Sequence, residues 1–294
     1  MSGGEPVVST AAPIDRRFTV VSFHAHPDDE ALLTGGLLAR TAREGHRVVI
    51  VTATEGELGL AGQDDGAGLA ETRMRELVES ARALGCARVV SLGFADSGLH
   101  PDPRDRECFA HQDVEAAAET LAALLREERA DVLTVYDPNG GYGHPDHRQV
   151  HRVGSRAADL AGTPVVLEAT VPGRLFTRVL GILALVGHPL GRSAPLGTSA
   201  VFGDPARITH RVRLHHGDLE RKRAAMAAHG SQRRGPGRRR VIDRFVALPE
   251  PLFRLAFGRE WYVEQGRPGP GRLDDVFCTL RMDLEAARAL EGRA

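Results

Sequence analysis

Phe23-His24-Ala25-His26-Pro27-Asp28-Asp29-Glu30 places two histidines and three carboxylates within eight residues, directly behind the apolar run Phe18-Thr19-Val20-Val21-Ser22. Such a run reads as a buried strand, so the polar cluster falls where that strand gives way to another element. Pro27 marks the new element as a helix, because proline is favoured at the first helical position, where its missing N–H costs nothing. Asp28, Asp29 and Glu30 then fill the first turn and face the positive end of the helix dipole. Capping alone would not call for histidine.

A distant stretch repeats the pattern. The apolar run Asp131-Val132-Leu133-Thr134-Val135-Tyr136 leads into Asp137-Pro138-Asn139-Gly140-Gly141-Tyr142-Gly143-His144-Pro145-Asp146-His147. His26/Asp29 and His144/His147 are i,i+3 pairs, so each pair shares one face of its helix start. In a parallel α/β sheet every strand-to-helix turn lies at the carboxyl edge, and two such turns can meet in one crevice.

Working outward, strands are expected at Phe18–Ala25, His46–Ala53, Arg88–Leu92, Asp131–Tyr136 and Pro164–Ala169. Helical patterns separate them: about 29–44, the series Met74, Leu77, Val78, Ala81, Leu84, and the stripe Val114, Ala117, Ala118, Leu121, Leu124, Leu125. This alternation predicts an α/β fold, a Rossmann-like and mostly parallel sheet with helices on both faces. Residues 1–17 read as a disordered tail and 18–170 as the catalytic core. Residues 171–294 read as a C-terminal portion that completes the same domain and lines the substrate mouth. There, Ile208–Leu214 and Val276–Met282 are expected as strands and His216–His229 as a helix. No Gly-x-Gly-x-x-Gly follows the first strand and no Walker lysine occurs, so a nucleotide-binding reading lacks its phosphate cradle.

The 294 residues are 42% hydrophobic, enough for a core, and the formal charge of −1 gives no bulk attraction to a polyanion. The Ser231–Arg240 stretch holds five arginines but no aromatic platform, so it reads as a solvated loop and nucleic acid is not expected as a partner. Cys86, Cys108 and Cys278 are odd in number and far apart, which fits a reducing cytoplasm. Met1–Arg17 lacks the apolar core of a signal peptide. Leu175–Gly187, interrupted by Arg178, is too short to span ~30 Å of bilayer, so no membrane span is expected. Composition leaves a homo-oligomer open.

Two histidines and one carboxylate form the ligand set of a catalytic zinc site with one position left for water. His26, Asp29 and His147 are the natural set, since each lies on a helix start facing the crevice. Asp28 sits beside a ligand without being needed as one and is free to act as general base. His144 is placed to stabilise an oxyanion or protonate a leaving amine, and Asp146 to orient His144 or His147. The same ligands serve non-haem iron oxygenases, so they do not distinguish Zn2+ from Fe2+. A spare acid and a spare base beside the metal favour hydrolysis. Glu57 and Glu55 are further candidates from the loop after the second strand. His24 is equally well read as a site residue or a bonded core histidine, and His151 and His229 are weaker candidates. His46, His100, His111, His188, His210, His215 and His216 are most simply surface or loop residues.

His-Ala-His-Pro-Asp-Asp-Glu at 24–30, with Tyr-Asp-Pro-Asn-Gly-Gly-Tyr-Gly-His-Pro-Asp-His at 136–147, resembles the PIG-L/LmbE-like deacetylase family. Within it the likeness is to the branch of mycothiol-pathway N-acetylglucosaminyl-inositol deacetylases and conjugate amidases. The resemblance covers roughly 18–170, with a thinner match at Lys222–Gln232. It implies a Rossmann-like fold, zinc on His26, Asp29 and His147, Asp28 as base, and His144 as electrostatic stabiliser or acid. It further implies that Arg73 and Asp96 contact the sugar and that Tyr142 is a mobile tyrosine reaching the reacting carbonyl. The expected activity is zinc-dependent hydrolysis of the N-acetyl amide of an N-acetylglucosamine-type sugar conjugate, a small-molecule substrate. Two alternatives stand beside it. One is cleavage of a larger amide, such as a mycothiol-type S-conjugate or natural-product intermediate; the other is a sugar- or metal-binding protein without turnover.

Overall fold

The computed structural model describes residues 16–59, 68–173, 204–233, 241–267, 271 and 273–291. Its strands are β1 (Thr19–His24), β2 (Arg47–Thr54), β3 (Arg88–Phe94), β4 (Val132–Tyr136), β5 (Val165–Thr170), β6 (His210–Arg213) and β7 (Arg259–Glu264). They form one sheet in the order β3-β2-β1-β4-β5-β7-β6. The first five run parallel, while β7 is antiparallel to β5 and β6 to β7. Chain order reverses between β1 and β4, which pair through Val20↔Val132, Val21↔Leu133 and Ser22↔Thr134. A doubly wound sheet opens its ligand crevice at that reversal. The two histidine-rich turns leave those two strands, and their adjacency builds one site from segments 120 residues apart in sequence.

Strand alternation sorts the core onto two faces. Val20, Val48 and Ile50 point to one, Val21, Phe23, Val49 and Val51 to the other. The second face is covered by α3 (Val114–Glu128) and α4 (Pro145–Ala161). The first is covered by α1 (Gly35–Arg43), α2 (Leu69–Leu84) and α5 (His216–Ala228), with α6 (Val241–Val246), α7 (Glu250–Phe257) and α8 (Cys278–Glu291) around it. Gly154 lets α4 press onto β4: a Cβ there would stand 2.4 Å from Val135 Cγ1. That close approach aims the start of α4, and with it His144 and His147, into the crevice.

Several expectations are corrected. The helix expected over 29–44 begins as a π-helical turn, Glu30–Thr34, before α1 takes over at Gly35. Val276–Met282 is not a strand: Val276 and Phe277 are buried ahead of α8, which starts at Cys278. β7 was not foreseen, because Glu260 and Glu264 interrupt its apolar pattern, yet both are buried. His210 is a fully buried strand residue instead of a surface one. The tail to residue 15, Leu175–Gly187, His188, and positions 234–240 of the arginine-rich stretch lie outside the described residues, as do 174–203 of the segment expected at the substrate mouth. No helix among the described residues is long and apolar enough to cross a membrane.

Candidate metal-dependent active site

His26, Asp28 and Asp29 follow directly from β1, and His144, Asp146 and His147 form the start of α4. The loop after β3 adds Asp96 and Ser97. His26 Nδ1 lies 3.4 Å and His147 Nε2 3.3 Å from the same oxygen, Asp29 Oδ2. Ligand atoms of these three residues all fall within 4.8 Å of one another. A second, overlapping group of His26, His144 and Asp146 meets the same limit.

His147 is 1% exposed, yet neither ring nitrogen has a hydrogen-bond partner among the described residues. A buried imidazole left in that state is costly, and a cation beside Asp29 would occupy its Nε2. His26 Nε2 sits 3.0 Å from Asp146 Oδ2 and 3.4 Å from Asp96 Oδ1. With its proton on Nε2, His26 donates to Asp146 and turns the Nδ1 lone pair toward Asp29, the usual arrangement of a metal-ligating histidine backed by a carboxylate. Three carboxylates converge on His26, so the residues fit a divalent cation. Burial opposes charge on His26, but its bonds to Asp146, Asp29 and Asp96 outweigh it and raise its pKa. Burial likewise opposes charge on Asp29, and His147 and His26 hold its carboxyl well below the ordinary range.

Asp28 has φ 113°, a strained value for a residue with a Cβ. Burial pushes its carboxyl up to about 6, with Arg73 pulling the other way and Asp29 adding to the rise. Arg73 is buried; it donates to Pro27 O at 2.5 Å and Gly56 O at 2.7 Å, and its guanidinium lies 3.6 Å from Asp28 Oδ2. Gly56 has φ 71°, and a Cβ on it would stand 2.2 Å from Arg73 Nη1, so glycine is needed there for this clamp to close. Asp96 accepts from Leu58 N and Gly98 N. Burial works against its charge, yet His26 and these backbone N–H groups keep its pKa at about 2. Glu57 accepts the Asp96 N–H at 2.6 Å, which ties the β2 loop to the β3 loop.

His144 accepts the Asp146 N–H on Nδ1 at 3.2 Å, and burial, then His26 and His147, lower its pKa to about 4. It is therefore a neutral ring with its proton on Nε2. The Asp146 carboxylate bonds His26 and the Ser97 N–H and hydroxyl, and not the side chain of His144 or His147. Tyr142 is 60% exposed, its ring 5.0 Å from His147 and 6.0 Å from His144. His24 belongs behind the site, bonded to Ser22 and Thr34, with burial pushing its pKa down to about 4. His151 bonds the Tyr136 carbonyl and sits 3.8 Å from Glu168. His229 is buried against Glu30.

Sequence reasoning missed two site residues. Tyr136 stacks on His147, ring centroids 4.2 Å apart at 15°, and its hydroxyl accepts the Ala25 N–H. Its place as the last residue of β4 was the available signal. Ser97, which holds Asp146, had none beyond its position after Asp96.

The PIG-L family, described as GlcNAc-PI de-N-acetylase, matches residues 21–158. The chain is 35% identical over 301 residues to a 1D-myo-inositol 2-acetamido-2-deoxy-alpha-D-glucopyranoside deacetylase of Thermomonospora curvata, covering 90% of this chain and 97% of that one. It is 37% identical over 291 residues to the protein of the same description from Thermobifida fusca, covering 90% and 99%. Among solved structures it is similar in fold to the A40926 pseudoaglycone deacetylase Dbv21, with TM-score 0.57, 17% identity, and 87% and 100% covered.

Proposed function

The chain belongs to the PIG-L (GlcNAc-PI de-N-acetylase) family, and from that premise we propose that it is a metal-dependent hydrolase of the N-acetyl amide of an N-acetylglucosamine-type sugar conjugate, of the glucosaminyl-inositol kind. The observation that carries the reading is the convergence of His26 Nδ1 and His147 Nε2, the latter without a hydrogen bond, on Asp29 Oδ2. A Zn2+ or Fe2+ ion held there supplies Lewis acidity to a carbonyl and lowers the pKa of water.

The remaining work falls to the chain. Asp28, with a pKa of about 6, is ionised at neutral pH and takes the proton of the attacking water. That proton then passes to the leaving amine nitrogen. His144, neutral with its hydrogen on Nε2, donates to the developing oxyanion without carrying charge that would repel the cation. Asp146 keeps His26 in the ligating tautomer. Tyr142, exposed at the rim, is able to swing over the bound acetamide, and Asp96 and Arg73 fix the floor on which the sugar rests.

Acetate release from a panel of acylated amino sugars, with Zn2+ and Fe2+ reconstituted separately, tests the reading. Asp28→Ala is expected to retain about one metal per chain and to lose nearly all turnover. No acetate release with either metal, or full activity in that variant, overturns it.

A further inference from the structure

Glu30 closes the first histidine-rich motif, yet its carboxylate bonds Asp28 N, Ser80 and His229 instead of the side chains of His26, Asp29 or His147. It is fully buried and its two oxygens are used separately. Oε2 accepts the backbone N–H of Asp28 at 2.9 Å. Oε1 accepts the Ser80 hydroxyl at 2.5 Å and faces His229 Nε2 at 2.7 Å. Ser80 comes from α2, and His229 caps the end of α5. The chain just beyond is pinned to α2, because Ser231 N and Oγ bond the two oxygens of Glu76 at 2.7 and 2.6 Å.

A buried histidine–carboxylate pair is weak grounds for stability by itself, since desolvation offsets the attraction. This pair has one distinctive consequence: it orients a carboxylate whose other oxygen holds the N–H of a residue in a strained conformation. At φ 113° the half-buried Asp28 N–H leaves the direction a helix start would give it, and Glu30 Oε2 supplies its acceptor. Glu30 opens the π-helical turn Glu30–Thr34, and its side chain reaches back two residues to the Asp28 N–H.

We propose that Glu30 and His229 are positioning residues for Asp28: His229 and Ser80 orient the Glu30 carboxylate, which holds the Asp28 backbone in the conformation that aims its side chain into the site. The proposal rests on the reading of Asp28 as base, and it makes the region after α5 part of the catalytic apparatus without touching substrate.

The test uses the metal-loaded full chain and three variants, Glu30→Ala, His229→Leu and His229→Gln. Gln can place an amide N–H where His229 Nε2 stands, whereas Leu keeps bulk without a donor. Glu30→Ala and His229→Leu are expected to lower kcat about 10- to 100-fold, the usual effect of losing an orienting partner. KM should stay within about threefold by the same reasoning, with full metal content, and His229→Gln should recover most of the loss. A crystal structure of Glu30→Ala should show Asp28 at negative φ. The idea is overturned if Asp28 keeps positive φ, if kcat is unchanged while only thermal stability falls, or if the loss tracks lost metal. Should Glu30→Ala fail to fold, the two His229 variants decide. Absence of acetate release by the wild type is a failure of the functional reading alone, since the Asp28 conformation is read crystallographically.

Discussion

Asp146→Asn tests the site where its geometry is most explicit. The Asp146 carboxylate is completely buried and meets three donors: His26 Nε2 at 3.0 Å, the Ser97 N–H at 3.1 Å and the Ser97 hydroxyl. Asparagine preserves the volume but removes the charge and turns one acceptor into a donor. The His26 and Ser97 N–H groups share Oδ2, so a carboxamide oxygen there keeps both only as neutral bonds, while its NH2 meets the Ser97 hydroxyl that had donated to Oδ1. Loss of a charge-assisted bond is worth about 1.5–3 kcal/mol. On the metal, outer-partner substitutions cost about 10- to 100-fold in affinity, which is about 1.4–2.7 kcal/mol at 1.36 kcal/mol per decade. The assay is competition of the zinc-loaded protein against a chelator of known affinity, with wild type and variant side by side. Zinc affinity unchanged within about twofold would refute the view that Asp146 backs His26 as ligand.

Two further outcomes follow from the buried polar groups. Lys222 is 1% exposed and bonds Glu260 Oε1 at 2.6 Å and the Leu32 carbonyl at 2.8 Å, while Glu260 also caps Gly36 N and Leu37 N. Lys222→Met leaves that carboxylate without its counter-charge, held only by the α1 N–H groups and the Tyr262 hydroxyl, and should cost about 3–5 kcal/mol in urea unfolding, with a loss below about 1 kcal/mol counting against the pair. His210 is buried, and burial lowers its pKa to about 4, Glu264 Oε2 being too far at 3.6 Å to hydrogen-bond it. The unfolded chain then binds more protons between pH 6.5 and 4, so this contribution is complete above 6.5 and fades on acidification. The loss amounts to about 3 kcal/mol. Denaturation of wild type and His210→Leu at pH 7 and pH 4.5 should show the smaller acid sensitivity in the variant; equal sensitivity contradicts the assignment.

Both histidine-rich turns were legible in the sequence because each is a local event in which an apolar strand ends in a polar cluster; His144-Pro145 opens a helix as expected, whereas Pro27 and Asp28 form a turn and the helical element after β1 starts only at Glu30. The alternation of strands and helices over 18–170 was legible for the same reason, since periodicity registers which side of an element is buried. β7 was not, because Glu260 and Glu264 spoil its pattern. Glu260 is stable inside only once Lys222 of α5 and the N–H groups of α1 surround it. Val276 and Phe277 misled in the opposite sense, as two apolar residues anchor the approach to a helix as readily as they form a strand.

Taken alone, the sequence singled out the candidate ligands, because ligand chemistry and spacing belong to single segments. Only the tertiary structure decided who serves whom: that Asp146 backs His26, that Arg73 clamps the Pro27 carbonyl, and that Glu30 joins His229 to the Asp28 backbone. These partnerships depend on β1 lying beside β4 and on α5 packing over α2, long-range neighbours that no local pattern encodes.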